Sequence, residues 1–387
     1  MKIAKSVNRL GTEAVYNIFA KTKKLAQQGK KIIDLSLGQS DFKSPKHAVD
    51  ATIRALKDGH HGYTLPNGVI ECREAVSRKI KSLYNANISP ERIVIMPGGK
   101  PTMHYAISFF GEPSAEIIYP DPGFPIYESM INYTGAKAVP FNLAENKDFS
   151  INPDKILSLI NEKTRLLILN NPNNPTGSFT EKTVIDKLAK GLINFPHVTI
   201  LSDEIYDRLI FDKKEIPTLF NYPDLYDRLI VLNGWSKTYA MTGWRLGWGV
   251  WPEQLIEHVF KFCVNNHSCV NTAAQYGAIA ALDGPEDHLH DMMGEFTIRR
   301  KLIVDGLRSL KGVECSLPGG SFFVFPSVKG TGMNGEEFTN KCLQEAGVAI
   351  IAGTAFGKFA TANVRFNFAT SRENISKAIE KIDKILK

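Results

Sequence analysis

The middle of the chain repeats one event. A short run of β-branched and other apolar residues, without polar alternation, ends in a polar, glycine-containing or acidic cluster, and a helical pattern usually follows. It is seen in RIVIMPGGK (92–100), AEIIYPDPGF (115–124), RLLILNNPNNPTG (165–177), VTILSDEIY (198–206) and RLIVLNGWSK (228–237). Runs of this kind predict strands buried on both faces, and therefore a mostly parallel sheet covered by helices. Ligands of such sheets collect at the carboxyl ends of the strands, where these clusters lie.

The flanks follow other periods. Around Thr12 to Gln28 an amphipathic helix is expected, with Ala14, Val15, Ile18, Phe19 and Leu25 on one side and Gly29 as its stop. The chain closes with a second such helix, where Thr370 and Glu373 have capping-box spacing and Ile375, Ile379, Ile382 and Leu386 form the buried stripe. CSLPGGSFFVFP and NVRFNFATS read as strands, and SVKGTGMNGEE as a loop. The expected architecture is a large α/β domain over 46–284, with 1–45 joining 285–387 in a smaller α+β domain.

Composition narrows the class. The 387 residues can bury a sizeable core, and no apolar run approaches the roughly 20 residues that span a bilayer. The start, MKIAKSVNRLGTEA, lacks the apolar centre of a signal peptide, so a cytoplasmic protein is expected. The formal charge of +7 is modest, and its bases are interleaved with acids, which argues against nucleic acid as a partner. Five scattered cysteines, with no C-x-x-C pair, read as reduced packing thiols and no metal framework. Repeats and low-complexity tracts are absent.

The clusters carry chemistry. In MPGGKPT two glycines free the backbone to approach a ligand, and Pro101 suits the first turn of a helix, so amides and the helix dipole converge on an anion site, most naturally a phosphate. Pro101 stands where a nucleotide P-loop needs Ser or Thr. Arg245 and Ser236 can contact the same phosphate. Asp203 follows an apolar run directly, so its carboxylate needs a cation or a capping role. Lys237, at a strand end with tryptophans on both sides and few charges nearby, can be a desolvated nucleophilic amine. Singly, each has an ordinary alternative: a plain strand-to-helix turn, a salt-bridge arginine, a helix cap, a surface lysine. Together with an aromatic such as Phe124 they match the phosphate, aldehyde, ring nitrogen and ring face of pyridoxal 5′-phosphate (PLP).

The ordered set IDLSLGQSDF, GYTLPNG, PGGKPT, NPNNPTG, SDEIYD, SKTYAMTGWRLGW and VRFNFATS resembles the fold-type I, class I/II aminotransferases over nearly the whole chain. The resemblance implies that Lys237 is the Schiff-base lysine and proton carrier, and that Asp203 pairs with the pyridine nitrogen. Tyr206 and Asn174 would hydrogen-bond the ring's phenolic oxygen, and Phe124 would stack on the ring. Gly99, Lys100 (through backbone amides), Ser236 and Arg245 would hold the phosphate. Arg365 would clamp the substrate α-carboxylate, helped by Asn174 and the backbone of Gly38. Tyr63 would reach the phosphate from a neighbouring subunit, making a homodimer with shared sites. Two departures stand out: Gly234 replaces a hydroxyl residue that many relatives carry three positions before the lysine, and no residue for a distal carboxylate is identified.

The implied activity is transfer of an amino group from an L-amino acid, aspartate or another, to a 2-oxo acid such as 2-oxoglutarate, by a ping-pong mechanism. A β-eliminating C–S lyase on the same fold is the alternative, and a non-catalytic PLP-binding regulator a remote one.

Overall fold

The computed structural model describes residues 1–144, 146, 148–212 and 217–387. Its strands are β1 (Ile33–Asp34), β2 (Ile93–Met96), β3 (Glu116–Asp121), β4 (Lys137–Asn142), β5 (Thr164–Asn170), β6 (Thr199–Asp203), β7 (Leu229–Gly234), β8 (Gly247–Val250), β9 (Phe323–Val324), β10 (Val348–Ala349), β11 (Ile351–Ala352) and β12 (Val364–Asn367). Seven form one sheet in the order β2-β8-β7-β6-β5-β3-β4, and only β8 runs against its neighbours. The repeated apolar runs supply five of these strands, β2, β3, β5, β6 and β7, because both faces of the sheet are covered. Val94, Ile117, Leu166, Ile168, Leu201 and Ile230 point to a core shared with the helices Lys100–Phe110, Ile126–Thr134 and Ile256–Asn266. Ile93, Ile95, Ile118, Leu167, Ile200 and Val231 face the other way, onto Ile70–Tyr84, Lys182–Leu192 and Thr272–Asp283. Alternation in direction without alternation in polarity is what a doubly covered sheet requires.

A second core gathers Leu35 with Phe296, Ile303, Phe322, Phe338, Val364, Phe366, Phe368 and Ile375. Here β1 pairs in parallel with β10, while β11, β12 and β9 form a three-stranded antiparallel sheet. Residues near the start of the chain thus pair with residues near its end.

The N-terminal helix runs Ala14–Gln27 and stops where Gly29 adopts φ +82°. Of its expected stripe, the side chains of Ala14, Val15 and Phe19 lie outside the described residues, while Ile18 and Leu25 are half-buried. The final helix, Arg372–Leu386, is capped by Ser371, whose hydroxyl accepts from the Asn374 amide, and not by Thr370, whose hydroxyl takes the Asn374 side chain. Its stripe buries Ile375 and Ile382, with Ile379 and Leu386 packed half-buried against the same core. SVKGTGMNGEE is not loop throughout: Asn334 and Glu337 form a capping box that starts a helix at Gly335. SFFVFP contributes only Phe323–Val324 as paired strand.

Candidate active site

Because β8 lies antiparallel between β2 and β7, the strands β2, β3, β5, β6 and β7 all present their carboxyl ends on one side. A cleft of about 410 Å³ opens there, within the range of small-molecule sites. Gly38, Gly99, Lys100, Phe124, Asn174, Asp203, Tyr206, Ser236, Lys237, Arg245 and Arg365 all line it. Tyr63 does not: it is 93% exposed on a separate loop, beside Cys269 and Thr272.

Lys237 follows β7, and its Nζ donates to the carbonyl of Gly38 at 2.6 Å. It lies 5.8 Å from the Tyr206 ring and 5.6 Å from that of Phe322. Burial, followed by the charges of Arg365 and Arg245, pushes its pKa down to about 8. The lysine is therefore less isolated from charge than its sequence neighbours suggest, and the two guanidiniums add to desolvation in favouring the neutral amine.

Asp203 ends β6 at 6% exposure. Its Oδ2 accepts from the Tyr127 hydroxyl at 2.6 Å and its Oδ1 from the Ile205 amide at 3.2 Å. Burial lifts its pKa to about 6, against those hydrogen bonds and the charge of Lys237. No cation makes an ion pair with it among the described residues, so it is a buried carboxylate with room for a cationic partner.

Arg365, on β12, is 5% exposed. Its Nη1 donates to Asn174 Oδ1 at 2.9 Å and its Nη2 to the carbonyl of Ser36 at 2.6 Å, while its Nε is buried without a partner. The carbonyl of Gly38, the expected backbone helper for the substrate carboxylate, accepts from Lys237, and the carbonyl of Ser36 braces the guanidinium. The guanidinium sits 4.3 Å over Phe323 and 4.7 Å over Phe356. Burial pulls it down to about 10, which leaves it charged at neutral pH.

The anion cradle lies where β2 turns into the helix Lys100–Phe110. Gly98 holds φ +90°, and a Cβ there would lie 2.2 Å from Arg245 Nη2. The positive φ favours glycine, and any side chain there would also displace the arginine from the first turn. Arg245 itself is held with φ +56° and donates from Nη1 to the Thr242 carbonyl at 2.8 Å.

The family model of the class I and II aminotransferases matches residues 30–382. The chain belongs to the class I and II aminotransferases. It is 36% identical to a probable aspartate aminotransferase of Methanocaldococcus jannaschii, over 91% of this chain and 93% of that protein. It is 33% identical to aromatic-amino-acid aminotransferase 2 of Thermococcus litoralis, over 94% of each. The crystal structure of the aspartate aminotransferase of Rhizobium meliloti superposes with a TM-score of 0.95 at 28% identity, covering 100% of this chain and 99% of that one. This aminotransferase is a PLP-dependent transaminase of amino acids.

The residues fit the cofactor. The uncompensated Asp203 carboxylate suits a protonated pyridine nitrogen, the glycine-lined first turn beside Arg245 suits a phosphate, and the depressed Lys237 amine suits an aldehyde. The structure adds residues that sequence reasoning missed. Tyr127 fixes Asp203, Asn170 Oδ1 accepts from the Asn174 amide at 2.9 Å, and Glu13 and Tyr16 reach the cleft mouth from the N-terminal segment. Tyr127 stands in the first turn of the helix Ile126–Thr134, three residues after Phe124, and its ring packs edge-on against that of Phe124. For Glu13 the sequence offered no signal.

Two expected results arise from this geometry. The apoprotein should capture PLP at a rate that rises with pH and levels off above about 8, because burial favours the neutral amine and lowers the pKa of Lys237. Stopped-flow absorbance checks this, and a rate still climbing through 10.5, the ordinary lysine value, would contradict it. Gly234 packs on β8 so closely that a Cβ would lie 2.7 Å from Gly247 Cα. Gly234→Ser should therefore cost stability, about 1–3 kcal/mol, without tightening phosphate binding. Thermal unfolding and a PLP titration measure both.

Proposed function

We propose that this aminotransferase moves the amino group of L-aspartate to 2-oxoglutarate, the amino acid and the oxo acid occupying one cleft in turn. The observation that carries the choice is the distribution of cations. Of the four lining the cleft, Lys237 is the reacting amine, Arg245 stands at the phosphate cradle and Arg365 is placed for the α-carboxylate, which leaves Lys100 for a second carboxylate. The sequence had given Lys100 only a backbone role.

PLP, when bound, supplies an electron sink for the charge left when the α-proton departs. Lys237 Nζ takes that proton from the substrate α-carbon and holds it for return. Asp203 keeps a proton on the ring nitrogen, and Tyr127 keeps Asp203 in place. Tyr206 and Asn174 would hydrogen-bond the ring hydroxyl, and Phe124 would stack on the ring. Arg365 receives the α-carboxylate with its unpaired Nε, while Ser36 and Asn174 hold the rest of the guanidinium. Ser236, Arg245 and the amides at Gly99 and Lys100, which line the same cleft, would hold the phosphate.

The same reading places the active unit in a homodimer. Tyr63 is exposed beside Leu56, and Ile53, Leu65 and Ile70 of the same stretch of chain are also exposed, apolar side chains that a second copy would cover as Tyr63 reached its cleft. It also divides the chain into 46–284, with the large sheet, and a smaller domain of 1–45 and 285–387. Among the described residues no helix is long and apolar enough to cross a membrane, and the cytoplasm is the compartment we assign.

Lys100→Met should raise KM for aspartate and for 2-oxoglutarate about tenfold, the loss of one half-exposed charge contact, and leave KM for alanine within twofold. Steady-state kinetics on the three substrates decides it. Equal effects on all three would remove Lys100 from substrate recognition.

A further inference from the structure

We propose that Glu13 is a specificity-determining residue: it occupies the position of a substrate's distal carboxylate and yields it when a dicarboxylate binds. This rests on the roles given above to Arg365 and Lys100.

Glu13 immediately precedes the N-terminal helix, and its carboxylate is hydrogen-bonded to Lys100 Nζ across 87 residues of sequence. Its side chain is only 13% exposed, whereas that of Lys100 is 44% exposed. Glu13 lines the main cleft and also a smaller pocket that it shares with Phe124, Phe356 and Arg365, so its carboxylate is bonded to one of the two cations a dicarboxylate would need and shares a pocket with the other. Its charge reaches Lys237 and Arg365, opposing the fall that burial causes in both.

The surroundings of Lys100 explain why a resident carboxylate is useful there. Its Nζ sits 5.9 Å from the Tyr16 ring and 5.6 Å from that of Phe124, and Glu13 is its one carboxylate partner among the described residues. Left unpaired, this ammonium beside two rings would add its repulsion to that already acting on the Lys237 amine. With a monocarboxylic amino acid on Arg365, Glu13 keeps Lys100 paired. With a dicarboxylic one, Lys100 exchanges Glu13 for the substrate, and the number of ion pairs is unchanged. One cleft thereby accepts both classes, and the strength of the Glu13–Lys100 pair sets the balance between them.

Glu13→Gln keeps the size of the side chain and removes its charge. The ratio of kcat/KM for aspartate to that for alanine should rise about fivefold, mainly through a lower KM for aspartate, which is the fold-change expected from removing a partly exposed competing ion pair. An unchanged or lowered ratio would overturn the proposal. Lys100→Met, run in parallel, separates the two failures. If it weakens aspartate selectively while Glu13→Gln does nothing, the exchange is wrong and the Lys100 assignment stands. If Lys100→Met is also without selective effect, both fall.

Discussion

Lys237→Ala should lower kcat by about 10,000-fold or more while PLP remains bound through its phosphate, ring nitrogen and ring face. One side chain is asked for two services, nucleophilic attachment of the cofactor and removal of the α-proton, and proton transfer alone is worth about 100- to 10,000-fold. The other groups of the cleft are poor substitutes: Arg365 stays charged, the Glu13 carboxylate and Lys100 are paired with each other, and burial pushes up the pKa of the Tyr206 hydroxyl, which is no base at neutral pH. Added methylamine should restore part of the rate, since the geometry for substrate is intact. Turnover within tenfold of the unaltered enzyme would remove Lys237 from the chemistry altogether.

Asp203→Asn should be the next largest loss, about 100- to 1,000-fold in kcat, comparable to deleting a preorganised charge contact in other enzymes. The carboxylate lies at 6% exposure with two hydrogen bonds from the protein and no cation among the described residues, so its charge is held ready for a ligand. Asparagine keeps the shape and loses that charge. Its effect should appear in kcat with dissociation of PLP also faster, and KM for the amino acid little changed, because Arg365 is untouched. Because Asp203 has a pKa raised to about 6 by burial, apoprotein below that pH should bind PLP less tightly, and Asp203→Asn should lose this acid dependence. Equal PLP affinity at pH 5 and pH 8 in the unaltered protein would argue against the role.

What was legible in the sequence were the features carried by contiguous residues. Unalternating apolar runs announced a doubly covered sheet, and the clusters at their ends, from Gly99 to Lys237, lie together because five strands share one direction. Arg365 was ambiguous by periodicity, since β12 is buried on both faces, with Val364 and Phe366 in the second core and the arginine in the cleft. The resemblance, not the alternation, singled it out. Contacts made across long separations left no trace in the pattern: Ser36 with Arg365 is 329 residues apart, and Glu13 with Lys100 is 87. The cap of the last helix was misplaced by one residue because Thr370 and Ser371 are both hydroxyl residues and only backbone geometry chooses between them. Tyr63 stands outside its own chain's cleft, and only the resemblance gave it a part in the site.

The central claim is that this chain moves amino groups through PLP held at Lys237. The most direct test is to add one L-amino acid at a time to the PLP-loaded enzyme with no oxo acid present, and to follow the visible cofactor band together with released product. The account predicts that aspartate bleaches the band and releases one oxo acid per site, then stops, and that 2-oxoglutarate restores the band. Continuous release of oxo acid and ammonia, with the band intact, would instead make the enzyme an eliminating lyase and contradict the account.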